Sequence, residues 1–342
     1  LIFLQDSLHI YALTIDTGGE LILDNSLLST EPNQLSDYLK LDVVVDGALT
    51  LRNGAMIRHP GTLTLSGGSA TMDVYDSTIT GFTPEEISPF NLDPDDNDDA
   101  PVMRFEGSST VVIARSVMDR LYENPLSPGP DPRYNITTSG SATLTIIDTF
   151  VGVDFLNESR SHNMIAAEGS SNVYLYNMTP DLSQSIMAPL SEWIPALVPV
   201  GPSSSFYIHR WLGATVRDRF GSAIEGAAIE SRVLPMGMLA FYPDNGNGDV
   251  PSLTLLGYLG RTAEDFNRTD FHGQARIPLL TDWINATGFD STTPNSAFDG
   301  NYRIEASHMG SLVSQDIAFS AYPAIAEVDN SIDLTLDLVD LV

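Results

Sequence analysis

The chain has 342 residues and a formal charge of −29, set by 45 Asp and Glu against 16 Lys and Arg, and it has no cysteine. That length accommodates two domains and a large core. The charge excludes nucleic-acid binding through a basic phosphate-contacting surface and disfavours anionic membranes, and the missing thiols exclude disulfides and thiolate metal sites.

Lys40 is the only lysine. Acidity with so little Lys fits a prokaryote in a saline habitat, divalent-cation binding, or an acidic surface that keeps copies apart. A large core lets an extracellular protein do without disulfides, so cysteine usage leaves an extracellular or cell-surface location open. The chain starts at Leu1, and residues 1–11 read as an entry strand or cap. The apolar stretches 1–4 and 10–13 are too short for a membrane span or a full signal peptide. The ends read as those of a processed or incomplete chain, with any anchor outside it.

From Thr14 to Leu212 one phrase recurs seven times. It comprises an apolar strand, a Gly among small residues, a second alternating strand and a polar corner. The copies are 14–28, 43–57, 62–79, 102–118, 136–151, 164–178 and, more weakly, 197–212, anchored on Gly19, Gly47, Gly68, Gly107, Gly140, Gly169 and Gly201. In four copies the match is positional. Four and six residues past the Gly come Met72 and Val74, Val111 and Ile113, Leu144 and Ile146, and Val173 and Leu175; eight past come Asp76, Arg115, Asp148 and Asn177. Side chains two apart in a strand share a face. One such coil cannot cover its own apolar face, so coils must stack. The glycines lie 21 to 39 residues apart, a spread that fits a β-solenoid with loops of unequal length better than helical repeats. Gly is expected at a tight corner. Asn25, Asn53, Asp76, Asp148 and Asn177 are expected to stack at the next corner, with Arg115 breaking their ladder.

Excursions interrupt the coils at 28–41, at 81–101, and at 122–134, which is rich in proline (Pro125, Pro128, Pro130, Pro132) and hence extended. A further segment, 180–199, carries Leu190, Trp193, Ile194 and Leu197 as a short amphipathic cover. On these repeats, residues 1–212 resemble the right-handed parallel β-helix family, the pectate-lyase-like architecture of pectin-degrading enzymes, surface adhesins and shell proteins. The resemblance implies a fold of about seven coils and no particular activity.

The grammar changes near Trp211. Two strands flank a Gly-marked turn in 213–230, Thr269-Asp270-Phe-His-Gly273 follows, then Asn301-Tyr302-Arg-Ile304, and last an alternating run over 331–341. Short alternating strands with turn punctuation predict an antiparallel β-sandwich over 213–342. These motifs resemble the carboxypeptidase regulatory-like, transthyretin-like domain, with a non-matching insertion around 234–261. That resemblance implies a non-catalytic module of secreted and surface proteins. The expected fold class is all-β, a parallel β-helix solenoid followed by a small antiparallel β-sandwich.

Candidate chemistry is sparse. Asp93, Asp95, Asn97 and Asp99 alternate in one excursion and could converge on Ca²⁺, which takes six to eight oxygens; the competing reading is a solvated acidic loop. Asp244 and Asp249 bracket a Gly-rich stretch that reads as a second oxygen cage or an ordinary turn. Five sequons, at Asn135, Asn157, Asn177, Asn267 and Asn285, mark glycosylation candidates. For a polysaccharide-cleaving enzyme the nearest set is Arg104, Arg115, Asp119, Arg120 and Asp148, scattered in the repeat frame with no matched Asp pair. The −29 charge would also repel a polyanionic substrate. His9, His59, His162, His209, His272 and His308 show no metal-binding spacing, and no Gly-x-Ser-x-Gly occurs. No catalytic residue is assigned.

The leading expectation is a non-catalytic extracellular structural protein that self-assembles into a surface layer, sheath or filament, with Ca²⁺ as its possible ion and itself as partner. A glycan-binding adhesin, with Tyr174, Tyr176, Tyr207 and Trp193 as platform, is the alternative, and a β-helix lyase or hydrolase the third.

Overall fold

The computed structural model describes residues 2–4, 7–9, 12–29, 41–58, 60–80, 102–119, 136–151, 165–177, 179–180, 197–199, 203–234, 238–239, 253–262, 265–285, 301–318 and 330–337. The chain divides into two compact units, Leu1–Phe206 with Ile284–Phe289, and Tyr207–Trp283 with Asp290–Val342. Strand Ser205–Asp218 carries the chain from the first into the second.

The first unit is a solenoid of parallel strands in three sheets. Sheet 1 stacks Ile2–Leu4, Glu20–Asp24, Ala48–Arg52, Thr71–Tyr75, Thr110–Ala114, Thr143–Ile147 and Asn172–Tyr176. Sheet 2 stacks Ser7–His9, Leu27–Ser29, Met56–Arg58, Thr78–Thr80, Val117–Asp119, Phe150–Val151 and Thr179–Pro180. Sheet 3 stacks Ala12–Ile15, Leu41–Val45, Pro60–Leu65, Val102–Phe105, Ile136–Thr138, Ile165–Ala167 and Leu197–Pro199. The chain runs sheet 3, sheet 1, sheet 2 and back to sheet 3, one circuit per coil.

The positional frame of the sequence is the register of sheet 1. Met72 pairs with Val111, Val111 with Leu144, and Leu144 with Val173; Val74, Ile113, Ile146 and Leu175 form the parallel column. All eight side chains are buried. Each Leu or Ile so buried contributes roughly 1.5–3 kcal/mol. A one-residue slip would turn the whole column outward, so the apolar alternation fixes the pairing.

The outward side of sheet 1 changes along the stack. In the early coils its outward residues, such as Ile22, Thr50 and Asp73, are half-exposed. From the fourth coil on, Val112, Ala114, Thr145, Ile147 and Tyr176 are buried as well. The sequence carries the change as an unbroken apolar run, Val-Val-Ile-Ala, and a nearly unbroken one, Leu-Thr-Ile-Ile, the pattern of strands covered on both faces.

The three corners differ. From sheet 3 to sheet 1 the chain turns through Gly107, Gly140 and Gly169, each at positive φ and stacked on the last: a Cβ on Gly140 would lie 2.7 Å from the Gly107 carbonyl oxygen. Three anchoring glycines, Gly19, Gly47 and Gly68, lack the positive φ, and Gly47 is held instead by close approach to the Gly19 carbonyl. Gly18, not Gly19, has the positive φ in the first coil, and at 66–70 the tight contact is at Gly67, while a Cβ on Gly68 would meet nothing within 4 Å. That corner is five residues long where its successors are four, which shifts the crowded position by one. Gly201 lies outside the described residues. From sheet 2 back to sheet 3 the chain passes through the most variable connections, from the single residue 59 to the 21 residues 81–101.

The second unit is a two-sheet β-sandwich. One sheet sets Ser205–Asp218 between Gln274–Asn285 and Asn330–Leu336, the last pair being parallel. The other is antiparallel in the order Met238–Leu239, Ala228–Val233, Asn301–His308, Ser311–Ala318. Thus the two strands expected around the turn in 213–230 join different sheets. Val216, Ile229, Ile277, Ile304 and Leu334 are among the buried apolar residues, and the Tyr302 hydroxyl donates to the Leu280 carbonyl. Leu253–Leu259 is a seven-residue helix inside the segment that the sequence motifs left unmatched.

Candidate functional site

A row of polar side chains in the first unit lines the corner from sheet 1 to sheet 2. Asn25, Asn53, Asp76, Arg115, Asp148 and Asn177 all sit at φ between 45° and 58°. Asn and Asp tolerate this left-handed conformation better than other residues with a Cβ, which explains five of the six. Arg115 does not break the ladder, contrary to expectation. It adopts the same backbone conformation and binds Asp76 through two bonds, Nε to Oδ1 and Nη2 to Oδ2, both 2.8 Å.

The ladder is joined across coils. Asp24 accepts from Asn53 Nδ2 and from Arg52 Nε, both at 2.9 Å, and Asp148 accepts from Asn177 Nδ2 at 2.9 Å. Each carboxylate is met by an amide or guanidinium of the next coil. The Arg115 guanidinium beside Asp76 holds its carboxyl below the usual range, and the Asn53 amide followed by Arg52 does the same for Asp24. Beneath the ladder lies a row of buried hydroxyls. Ser77 N–H donates to Ser116 Oγ and Ser116 N–H to Thr149 Oγ1, while Ser77, Ser116 and Thr149 donate to the carbonyls of Tyr75, Ala114 and Ile147. Each hydroxyl satisfies a bent backbone that water does not reach.

Asp73, on the outward side of sheet 1, is the exception to these lowered carboxyls. Burial raises its pKa, and Thr50 and Val112 flank it in register.

In the second unit, two turns of the form Asp-x-x-Gly lie side by side. Asp218 Oδ1 accepts from the N–H groups of Phe220 and Ser222, and Asp270 Oδ1 from those of His272 and Gln274, all within 2.8–2.9 Å. Gly221 and Gly273 close them at positive φ, and Val216 N–H donates to Gly273 O between them. Phe220 and Phe271 stand on these turns 77% and 70% exposed. On the outer face of the antiparallel sheet, Arg232 bridges Glu305 and Glu230, and Arg303 binds both oxygens of Asp316.

The sites expected from the sequence fare unequally. Asp93, Asp95, Asn97, Asp99, Asp244 and Asp249 lie outside the described residues, as do Asn135, Asn157, Arg120 and Trp193; the side chains of Asn285 and Asp119 do as well. Among the described residues, no three His, Asp or Glu are placed to share a metal ion. Asn177 is in the corner ladder, and Asn267 Nδ2 donates to the Ile229 carbonyl, so both sequon amides are engaged in the folded chain. The enzyme set does not converge: Arg104 points outward from sheet 3, whereas Arg115 and Asp148 lie at the corner of sheets 1 and 2. Tyr176 is 1% exposed and cannot belong to an aromatic platform; Tyr174 and Tyr207 are half-buried. No helix among the described residues is long and apolar enough to cross a membrane. Comparison with family models, curated proteins and solved structures finds no match.

Sequence reading missed the hydroxyl row and the paired turns. The Ser or Thr following Asp76, Arg115 and Asp148 was the available signal for the first, and the repeated Asp-x-x-Gly for the second.

Proposed function

We propose that this protein is a non-catalytic extracellular structural component that associates with copies of itself into a surface layer, sheath or filament. The observation that carries the reading is the corner ladder, whose carboxylates, amides and guanidinium bond one coil to the next. Polar groups there act in the cohesion of a stiff stack, as a scaffold requires. In the finer reading the solenoid is right-handed and pectate-lyase-like. The second unit is then a carboxypeptidase regulatory-like module, consistent with the Asp270–Gly273 turn and the anchored Tyr302 hydroxyl. Ca²⁺ bound through residues 93–99, or through Asp244 and Asp249, would offset repulsion between copies that each carry −29. Light scattering and electron microscopy, first with Ca²⁺ and then with chelator, test the proposal. Ordered polymers that dissolve on chelation are expected, and strict monomers in both conditions would overturn it.

A second reading, a glycan-binding adhesin, draws support from the exposed Phe220 and Phe271 on adjacent turns. A glycan-binding screen in which Phe220→Ala and Phe271→Ala abolish a hit would favour it.

A further inference from the structure

Ser311–Ala318 is the outermost strand of the antiparallel sheet, and among the described strands Asn301–His308 is its one ladder partner. Its eight residues pair with that neighbour without a bulge, from His308–Ser311 to Asn301–Ala318. Natural sheets blunt such an edge with lysine, proline, a bulge or an inward charge. This strand has none of these. Its single charged residue, Asp316, is held at both oxygens by Arg303, at 2.7 and 3.0 Å. Leu312 is 65% exposed and Met309, in the adjoining turn, 76%. At one end Ser311 Oγ donates to Asp337 O; beyond it Leu312 to Ile317 are exposed or half-exposed.

The hairpin geometry states which backbone groups face outward. Met309 and Gly310, at φ 45° and 82°, form a two-residue turn of the primed type, so the flanking His308 and Ser311 make the hydrogen-bonded pair. Bonding toward the neighbour then alternates along the strand. The N–H groups of Leu312, Ser314 and Asp316 are left pointing away from it. An antiparallel strand that offers carbonyls at the same spacing would satisfy all three, and the strand itself is such a partner. With a two-fold axis at Ser314, Ser314 pairs with Ser314, and Leu312 with Asp316, of the other copy. The outward N–H groups of Leu312, Ser314 and Asp316 each meet a carbonyl, and the sheet faces are preserved across the join.

We propose that a second copy of this chain docks on Ser311–Ala318 by antiparallel edge-to-edge pairing about Ser314, fusing two four-stranded sheets into one. The proposal rests on the self-association reading and names its contact. The Asp316 carboxylate is already neutralised, so the join itself opposes no like charges. The −29 bodies repel at long range, and added salt screens that repulsion. Dimerisation therefore strengthens with salt, the reverse of a contact driven by opposite charges.

The test is sedimentation velocity on the whole chain at tens of micromolar, across a NaCl series. A dimer that grows with salt is expected. Ser314→Pro removes the axial N–H, which the hairpin does not use, and should lower the association constant at least tenfold; Ser314→Ala, which keeps it, should not. Circular dichroism melts check that each variant folds. Because the chain lacks cysteine, Ser314→Cys should join into dimers through a short bismaleimide, whereas Thr110→Cys in the first unit should not. Assemblies that Ser314→Pro leaves intact would overturn the docking edge and leave self-association standing. A wild-type chain that stays monomeric throughout would overturn both, and a dimer weakened by salt would overturn the edge-to-edge contact.

Discussion

Arg115 reaches across one coil to grip Asp76 with two hydrogen bonds of 2.8 Å, and both residues hold left-handed backbone conformations while doing so. The pair is half-exposed, so its ion-pair contribution is about 0–1 kcal/mol, whereas the left-handed conformation costs an ordinary residue roughly 1–2 kcal/mol. Conformation outweighs charge at this position. Arg115→Asn is expected to change stability by less than about 1 kcal/mol, and Arg115→Val to lower it by about 1–3 kcal/mol. Urea unfolding of both variants checks the order; equal losses would contradict it.

The hydroxyl row makes a larger demand. Removing Ser116 Oγ leaves the buried N–H of Ser77 without its acceptor, and an orphaned buried donor costs about 1–3 kcal/mol. Ser116→Ala should lower the unfolding free energy by that amount, and Ser116→Thr, if its methyl is accommodated, by less.

Two glycines should respond oppositely to the same change. Gly140→Ala places a methyl 2.7 Å from the Gly107 carbonyl oxygen at φ 70°, while Gly68→Ala meets nothing within 4 Å and lacks the positive φ. The first should cost roughly 1–3 kcal/mol and the second should be neutral within about 0.5 kcal/mol. Thermal melts of the two variants suffice.

The carboxylates predict a pH response of two signs. Asp24, Asp76 and Asp316 have lowered folded-state pKa values, from Asn53, Arg115 and Arg303 respectively. Their stabilisation is present above the unfolded value of about 3.9 and is lost as pH falls through the folded values. Asp73 is raised by burial, so its contribution is full below the unfolded value and is lost as pH rises through the folded one. Asp73→Asn should therefore be more stable than wild type at pH 7 and equal to it near pH 3, whereas Asp76→Asn should be less stable at pH 7, with the gap closing in acid. Urea midpoints measured at both pH values decide the signs.

The solenoid was legible because its stabilising pattern is local and repeated. The column Met72, Val111, Leu144 and Val173 can be counted off from the glycines, and register follows from it. The corner ladder was half legible: Asn and Asp announce a left-handed backbone, but Arg115 carries no such mark, and its place becomes visible only with Asp76 one coil below. Tyr176 looked outward-facing by alternation and is buried, and burial on the outward face of a strand is a tertiary property that alternation does not encode. The sandwich strands were placed by turn chemistry, yet their division between two sheets depends on long-range pairing that alternation alone does not encode.

The corner from sheet 2 to sheet 3 is crossed by connections of 1 to 21 residues, whereas the left-handed corner admits two residues, or three where Gly54 is added. Closing a longer loop costs little, about 0.6 kcal/mol per doubling, so length at the first corner is nearly uncoupled from the cross-section of the stack. The molecule thus has one seam open to evolutionary change and one held nearly constant. The long connections of the solenoid all leave at that one seam, where a peptide of any length can be carried coil after coil on an unchanged frame.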